Sequence, residues 1–225
     1  MTPRQNRINI YWHESVDSTN SVVRRQIDEL DNLSITAAVT QTAGRGRGGH
    51  KWAAKPGANL TFSILLKFGD GTLKPLLVRD SLLITHAATI ALKHYFSEKG
   101  IAPRIKWPND IWVADRKICG ILIENILDAD KVTASIVGIG INLNQRDFDP
   151  ALPNPTSLSL ETGKDYRIKE ELEAFASCFM DCCVKMNSLE GRNELAAEFA
   201  DSMFYLEKDR QDALDAAIAH YESMR

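Results

Sequence analysis

Apolar and polar positions alternate with a period of two over Ile8-Asn9-Ile10-Tyr11-Trp12, which predicts a first strand. The period then changes. Val23, Ile27 and Leu30 recur at helical spacing, with Arg24, Arg25, Asp28 and Glu29 on the other face, so a helix follows, capped by Ser18 or Thr19. Residues 35–40 read as a second strand and residues 59–67 as a third. A long helix is expected over 76–99, with Leu83, Ala87, Ile90, Ala91 and Tyr95 on its apolar side and Gly100 at its C-terminal cap. Pro108 cannot donate to a sheet ladder, so the next strand breaks there and leaves Asn109 and Asp110 at a strand end. Residues 111–113 and 117–124 form a hairpin around Ala114-Asp115-Arg116, and period two places Lys117, Cys119, Ile121 and Ile123 on one face. Residues 132–144 read as another strand, in which Gly138 and Gly140 leave one face bare. Either a flat ligand or a closely packed helix accounts for such a face. After a proline-rich connector at 149–155, helices are expected over 168–186, 194–205 and 209–224.

The most unusual stretch joins the second and third strands: Gln41-Thr42-Ala43-Gly44-Arg45-Gly46-Arg47-Gly48-Gly49-His50-Lys51-Trp52. No Asp or Glu occurs from Gln41 to Lys67. Glycine lets the backbone approach a ligand closely, exposed N–H groups can donate to an anion, and arginine adds a planar fork that fits carboxylates and phosphates. The stretch reads as a loop closing over an anionic small molecule, or else as a solvated basic loop. Gly44, Gly46 and Gly49 match G-x-G-x-x-G, but a strand rather than a helix follows, so the dinucleotide fingerprint does not apply. The G-x-x-x-x-G-K-[ST] loop fails as well, because His50 follows Gly49. Ser18-Thr19-Asn20 is either a simple cap or a set of hydroxyls and N–H groups offered to a polar ligand.

Composition narrows the class. A chain of 225 residues supports one substantial domain, and a net charge of -3 gives no global reason to expect nucleic acid as a partner. No run approaches the ~18 apolar residues of a membrane span. The four cysteines, Cys119, Cys178, Cys182 and Cys183, lack C-x-x-C spacing, so a reduced, cytoplasmic compartment is expected. Cys178 and Cys182 share a helical face, but no His or Cys pair is placed to complete a metal site.

Several elements occur together and in order: Ser18-Thr19-Asn20, Gln41-x-x-Gly44-Arg45-Gly46-Arg47, Trp52, Lys106-Trp107-Pro108-Asn109-Asp110, Arg116-Lys117-x-x-Gly120 and Gly138-x-Gly140-x-Asn142. This pattern resembles the catalytic domain of biotin–protein ligases, the biotin–[acetyl-CoA-carboxylase] ligases, over roughly residues 8–144 and more weakly to about residue 205. The resemblance implies an α+β fold, a mixed β-sheet flanked by helices and related to class II aminoacyl-tRNA synthetase cores. It places a catalytic domain at 1–205 and a short, helical tail at 206–225. It implies MgATP and biotin as substrates, biotinyl-5′-AMP as intermediate, and a lysine of a biotin carboxyl carrier protein as acceptor.

Site roles follow from the same resemblance. Lys117 is assigned to the biotin carboxylate and the α-phosphate, with Gly120 in the same motif. Arg45 and Arg47, flanked by Gly44 and Gly46, are assigned to the carboxylate, the phosphates and loop closure. Ser18, Thr19, Asn20 and Gln41 would bond the ureido ring, and Trp52 would flank the apolar tail beside the nucleotide. Gly138 and Gly140 would let the ligand lie on the sheet. Asn109, Asp110 and Asn142 would contact the nucleotide, with Asp110 also a candidate for Mg²⁺. Three departures from the family are read in the sequence. The core begins within about ten residues, so no DNA-binding repressor role is expected. Residues past 205 lack the alternating strands of the small β-barrel that ends most members. Gly48 and His50 stand where bulkier or more basic residues are usual, which makes for a looser loop. A lipoyl or octanoyl transferase using Cys119 as nucleophile, and a non-catalytic biotin-binding protein, are the competing readings. An exposed sheet edge could support a homodimer.

Overall fold

A computed structural model describes residues 8–204. The expected helix over 209–224 lies outside the described residues. The centre is a single mixed sheet. Its first strands are β1 (Ile10–Val16), β2 (Ile35–Gln41), β3 (Leu60–Lys67) and the short β4 (Leu76–Leu77). They are followed by β5 (Pro103–Lys106), β6 (Asp110–Val113), β7 (Arg116–Asp128), β8 (Lys131–Ile141) and β9 (Met203–Phe204). The strand order is β1-β2-β3-β8-β7-β6-β5-β9, with β4 paired to β8. The β1–β2 and β5–β9 pairs are parallel and the others antiparallel. The mixed sheet flanked by helices is thus as expected.

The two faces of the sheet differ in chemistry. One face carries Leu60, Phe62, Ile64 and Leu66 of β3 and Val137, Ile139 and Ile141 of β8, all in the main core. Against it packs α2 (Leu82–Glu98), whose Ile84, Ala87, Ala88, Ile90, Ala91, Leu92, Tyr95 and Phe96 are buried. A helix apolar on nearly every side has to be covered on every side. α4 (Ile168–Met186) and α5 (Leu189–Ser202) supply the outer cover. The short α3 (Leu158–Thr162) is capped by Ser157, whose hydroxyl accepts the Leu160 N–H, and ends at Gly163 with φ 75°. The opposite face is only partly covered, by α1 (Thr19–Arg25).

Some boundaries differ from expectation. The helix read from residue 76 begins at Leu82, because Leu76 and Leu77 pair with Val132 and Lys131 as β4. The helix read from 194 begins at Leu189, where the Ser188 hydroxyl accepts the Gly191 N–H. α1 ends at Arg25, short of Leu30, and Ser18 at its start makes no side-chain cap bond. Instead the Thr19 N–H donates to Gln41 Oε1 of β2 at 2.8 Å. A free helix-end donor is therefore satisfied by the neighbouring strand.

Phe175 of α4 meets Phe62 at 5.2 Å between ring centroids, Phe179 at 5.9 Å and Tyr95 at 6.2 Å, tying helix, sheet and α2 together. Phe175→Ala is expected to cost about 3–5 kcal/mol, seen as a lowered denaturation midpoint at unchanged m-value. All four cysteines are buried and free. Burial pushes every thiol up, Cys182 to about 12. Ellman's reagent at pH 8 is accordingly expected to label none of them in the native protein and all four in denaturant.

Candidate active site

The partly covered face owes its shape to β7 and β8. Gly120 pairs with Gly140, and Leu122 with Gly138. With side chains removed at these points, other groups lie against bare backbone. A Cβ at Gly140 would overlap the Trp52 indole, and one at Gly120 would stand 3.0 Å from it. A Cβ at Gly138 would overlap the Asn20 side chain. Trp52 and Asn20 are thus the side chains that lie against these glycines. The helix-packing reading holds for Gly138, since Asn20 belongs to α1.

Above this floor opens a cavity of about 540 Å³, a size suited to a cofactor-sized ligand. Ser18, Thr19, Asn20, Gln41, Arg45, Gly46, Arg47, Trp52, Asn109, Asp110, Lys117, Gly120, Gly138 and Gly140 all line it, together with Gly48, His50 and Lys51. Two expected members do not. Gly44 stands behind the wall, where a Cβ would overlap the Trp52 carbonyl, so its role is to let the two arms of the loop close. Asn142 is buried, and its side-chain amide donates to the Thr156 carbonyl at 2.9 Å, anchoring the connector to β8.

The glycine-arginine segment is a folded hairpin rather than a loose loop. Arg45 and Lys51 form an antiparallel bridge, Gly46 N–H donates to His50 O at 2.7 Å and Trp52 N–H to Gly44 O at 3.0 Å. Gly48 and Gly49 turn the tip with φ of 65° and 82°, the left-handed region that favours glycine.

One wall is a chain of hydrogen bonds. Gln41 Oε1 takes the Thr19 N–H, Thr19 Oγ1 lies 2.7 Å from Ser63 Oγ, and Ser63 donates to Asn20 Oδ1 at 2.5 Å. Asn20 Nδ2 in turn donates to Glu124 Oε2 at 2.8 Å. Ser63 and Glu124 do not line the cavity themselves but hold the lining residues Thr19 and Asn20, and the sequence reading missed them. The available signal was a polar residue on the glycine face of its strand: Ser63 pairs with Gly138, and Glu124 follows Gly120 and Leu122 at period two.

The other wall carries charge. Lys117 Nζ lies 2.7 Å from Asp110 Oδ2, beside the Trp52 ring. Asn109 Nδ2 donates to the Ile121 carbonyl at 2.5 Å, fixing the turn before β6 against β7. Arg45 binds Glu124 with both Nη atoms, at 3.2 and 2.9 Å. Arg47 makes no ion pair among the described residues. Arg116, from the same motif as Lys117, faces away and pairs with Glu161 at 3.0 Å.

Lys117 does not share a face with Cys119. Cys119 pairs with Ile111 but Lys117 with Trp112, so Ile118 is an extra residue in a β-bulge. The bulge reverses the alternation. Lys117 Nζ would lie 3.3 Å from a Cβ at Gly120, on the cavity side, while Cys119 sits in the core with its thiol pushed up by burial. Cys119 is thereby unsuited to the nucleophile role weighed for it.

A metal could be held only with help from a ligand. Among the described residues no three His, Cys, Asp or Glu side chains cluster as a cage. Asp110 offers one carboxylate to the cavity, which suits a Mg²⁺ that arrives on phosphates and keeps several waters.

The family model described as Biotin/lipoate A/B protein ligase family matches residues 12–142. The bifunctional ligase/repressor BirA of Escherichia coli is 33% identical over 146 residues, which is 65% of this chain and 44% of that protein. The biotin–[acetyl-CoA-carboxylase] ligase of Paracoccus denitrificans is 32% identical over 170 residues, covering 72% of this chain and 68% of that one. The chain thus spans less than half the length of the Escherichia coli relative. A biotin protein ligase from Aquifex aeolicus, solved in complex with biotin and ATP, superposes with a TM-score of 0.73 at 30% identity, covering 88% of this chain and 79% of that one. With more than half of its length matched by the family model, and that match running from β1 through β8 around the cavity, the chain belongs to the biotin/lipoate A/B protein ligase family.

Proposed function

We propose that the chain is an ATP-dependent biotin–protein ligase, which forms biotinyl-5′-AMP and passes the biotinyl group to a lysine of a biotin carboxyl carrier protein. The carrying observation is the cavity itself. It brings the hydrogen-bonding residues Ser18, Thr19, Asn20 and Gln41, an indole over the bare strand backbone, and the cations Arg47 and Lys117 to one space. Such a site suits a ligand with a polar ring, an apolar tail and a terminal carboxylate. The Aquifex aeolicus structure with biotin and ATP, and a Leishmania major structure with biotinyl-5-AMP at 26% identity, support the same reading.

In the first step a biotin carboxylate oxygen attacks the α-phosphorus. A new P–O bond forms, the bond to the β-phosphate oxygen breaks, and pyrophosphate leaves with the electron pair. Two anions must approach each other, so positive charge is needed where they meet. Lys117 from β7 and Arg47 from the hairpin, both lining the cavity, supply it, with Arg45 on the same hairpin. Asp110 holds the Lys117 ammonium in the cavity and offers a carboxylate to Mg²⁺, which screens phosphate charge when bound. Asn109 keeps the Asp110 turn in place. Trp52 flanks the ligand tail, and closure of the hairpin keeps water from the anhydride. In the second step the carrier's lysine amine attacks the biotinyl carbonyl, an amide forms and AMP leaves.

Pyrophosphate release with MgATP and biotin, with lipoate and octanoate in parallel, tests the reading. Release that depends on biotin is expected. Release with lipoate or octanoate instead transfers the chain to the acyl branch of its family, and none with any acid on folded protein overturns ligation. Lys117→Ala is expected to slow release by about 10²-fold, the scale of losing one charge-stabilising donor; an unchanged rate removes Lys117 from the step.

A further inference from the structure

Lys117 sits at a break in the sheet. The pairing of β7 with β8 begins at Cys119, opposite Ile141, and the Asn142 N–H then reaches the Ile118 carbonyl at 2.9 Å. On its other edge Lys117 pairs with Trp112 of β6, beside the bulge. Where β8 has ended, the end of the connector takes its place. The Lys117 N–H donates to the Asn154 carbonyl at 2.8 Å, and the Lys117 carbonyl accepts the Thr156 N–H at 2.9 Å, which makes a parallel bridge to Pro155. A single bridge is not held by a ladder of its own. Whatever fixes residues 154–156 therefore fixes the Lys117 backbone as well.

Glu161 of α3 is placed to fix them. Its side chain is only 9% exposed. Oε1 accepts from the Thr156 hydroxyl, and Oε2 accepts from Arg116 Nη2 at 3.0 Å. Thr156 is fully buried, and its carbonyl is held from the β8 side by the Asn142 amide at 2.9 Å. The two partners of Glu161 thus embrace Lys117: Arg116 precedes it in β7, and Thr156 is bonded to its carbonyl. Glu161, Arg116 and Thr156 all stand outside the cavity lining. A carboxylate that takes a cationic donor on one oxygen and a hydroxyl on the other is fixed in orientation as well as position.

We propose that Glu161 is a positioning residue for Lys117. Acting through Arg116 and Thr156, it holds the lysine backbone at the bulge, so that the ammonium is delivered beside Asp110 in the cavity. The consequence for a reaction at Lys117 rests on the ligase reading above; the hold on the backbone does not. A cation displaced by about 1 Å still attracts an anion but no longer meets the charge that develops in the transition state, so its loss falls on kcat more than on KM.

Amide hydrogen exchange, read residue by residue by NMR, tests the hold without any substrate. Glu161→Gln keeps an oxygen for Thr156 and removes the charge that holds Arg116. Arg116→Gln removes the same pair from the other side, at a residue that leaves the core untouched. Each is expected to speed exchange of the Lys117 and Thr156 amides about fivefold, the scale of losing one charge-assisted hydrogen bond at a partly exposed partner. The double variant is expected to exchange no faster than either single, since both remove one interaction. Wild-type exchange in either single variant, or effects that multiply in the double, overturns the hold. So does an equal rise at Phe62 and Ile64 of β3, which reports general unfolding. The consequence for the reaction is read in biotin-dependent pyrophosphate release. Glu161→Gln is expected to lower kcat about tenfold with KM for biotin changed by less than about twofold, and to slow a Lys117→Ala protein no further. A loss that multiplies with that of Lys117→Ala, or a raised KM at unchanged kcat, overturns the positioning role. If wild-type protein releases no pyrophosphate at all, the ligase reading falls and exchange at Lys117 still decides the hold.

Discussion

The close approach of Trp52 and Asn20 to the bare backbone of β7 and β8 is the constraint on which the site depends. Gly120, Gly138 and Gly140 lie in paired register, so their missing side chains form one continuous flat area. An indole and an amide fill it. Glycine within a strand sacrifices packing and backbone order. That loss is offset on the other face, where the neighbours Ile139, Val137, Ile141, Cys119 and Ile121 are buried in the main core. The sheet can therefore be thin on one side because it is fully packed on the other.

The same two-sidedness explains why one irregularity matters. Without the extra residue at Ile118, strict alternation would place Lys117 with Cys119, facing α2 and the core. A lysine ammonium there would be desolvated and without a carboxylate partner, a costly arrangement. The bulge turns it to the cavity, where Asp110 of β6 meets it at 2.7 Å. A single extra residue thus decides whether this side chain is a core defect or a site cation.

Most of the architecture was legible because its causes are local. Period-two alternation located the strands, and the apolar stripe of α4 gave its bounds as Ile168 and Met186. The cavity residues were legible as unusual chemistry in order, and nearly all of the expected members converge on it. What escaped was long-range. The β4 pairing of Leu76 with Val132 looks like the start of a helix until β8 is in place. Asn142 looks like a ligand group, although its amide serves the connector at Thr156. Glu124 and Ser63 look like ordinary strand residues, because the partners that give them meaning, Arg45 and Asn20, lie 79 and 43 positions away. Period two also failed at Lys117, since nothing in Arg116-Lys117-Ile118-Cys119 marks a bulge without its partner strand.

Charge in the cavity is arranged more evenly than its two arginines and lysine suggest. Arg45 is matched by Glu124 and Lys117 by Asp110, each at hydrogen-bonding distance. Only Arg47 among these three lacks an ion pair among the described residues. A cavity with three unpaired cations would repel its own closure and hold any passing anion. With two of them matched, the hairpin can fold over the sheet at little electrostatic cost. An anion reaching Lys117 must then compete with Asp110, which gains nothing for a ligand that cannot offer better geometry. In the reaction proposed above, a carboxylate and a phosphate arriving together would do so, because both need positive charge at the same moment and the lysine stem is flexible. For that proposed step, paired cations would favour the reacting arrangement over either anion bound alone.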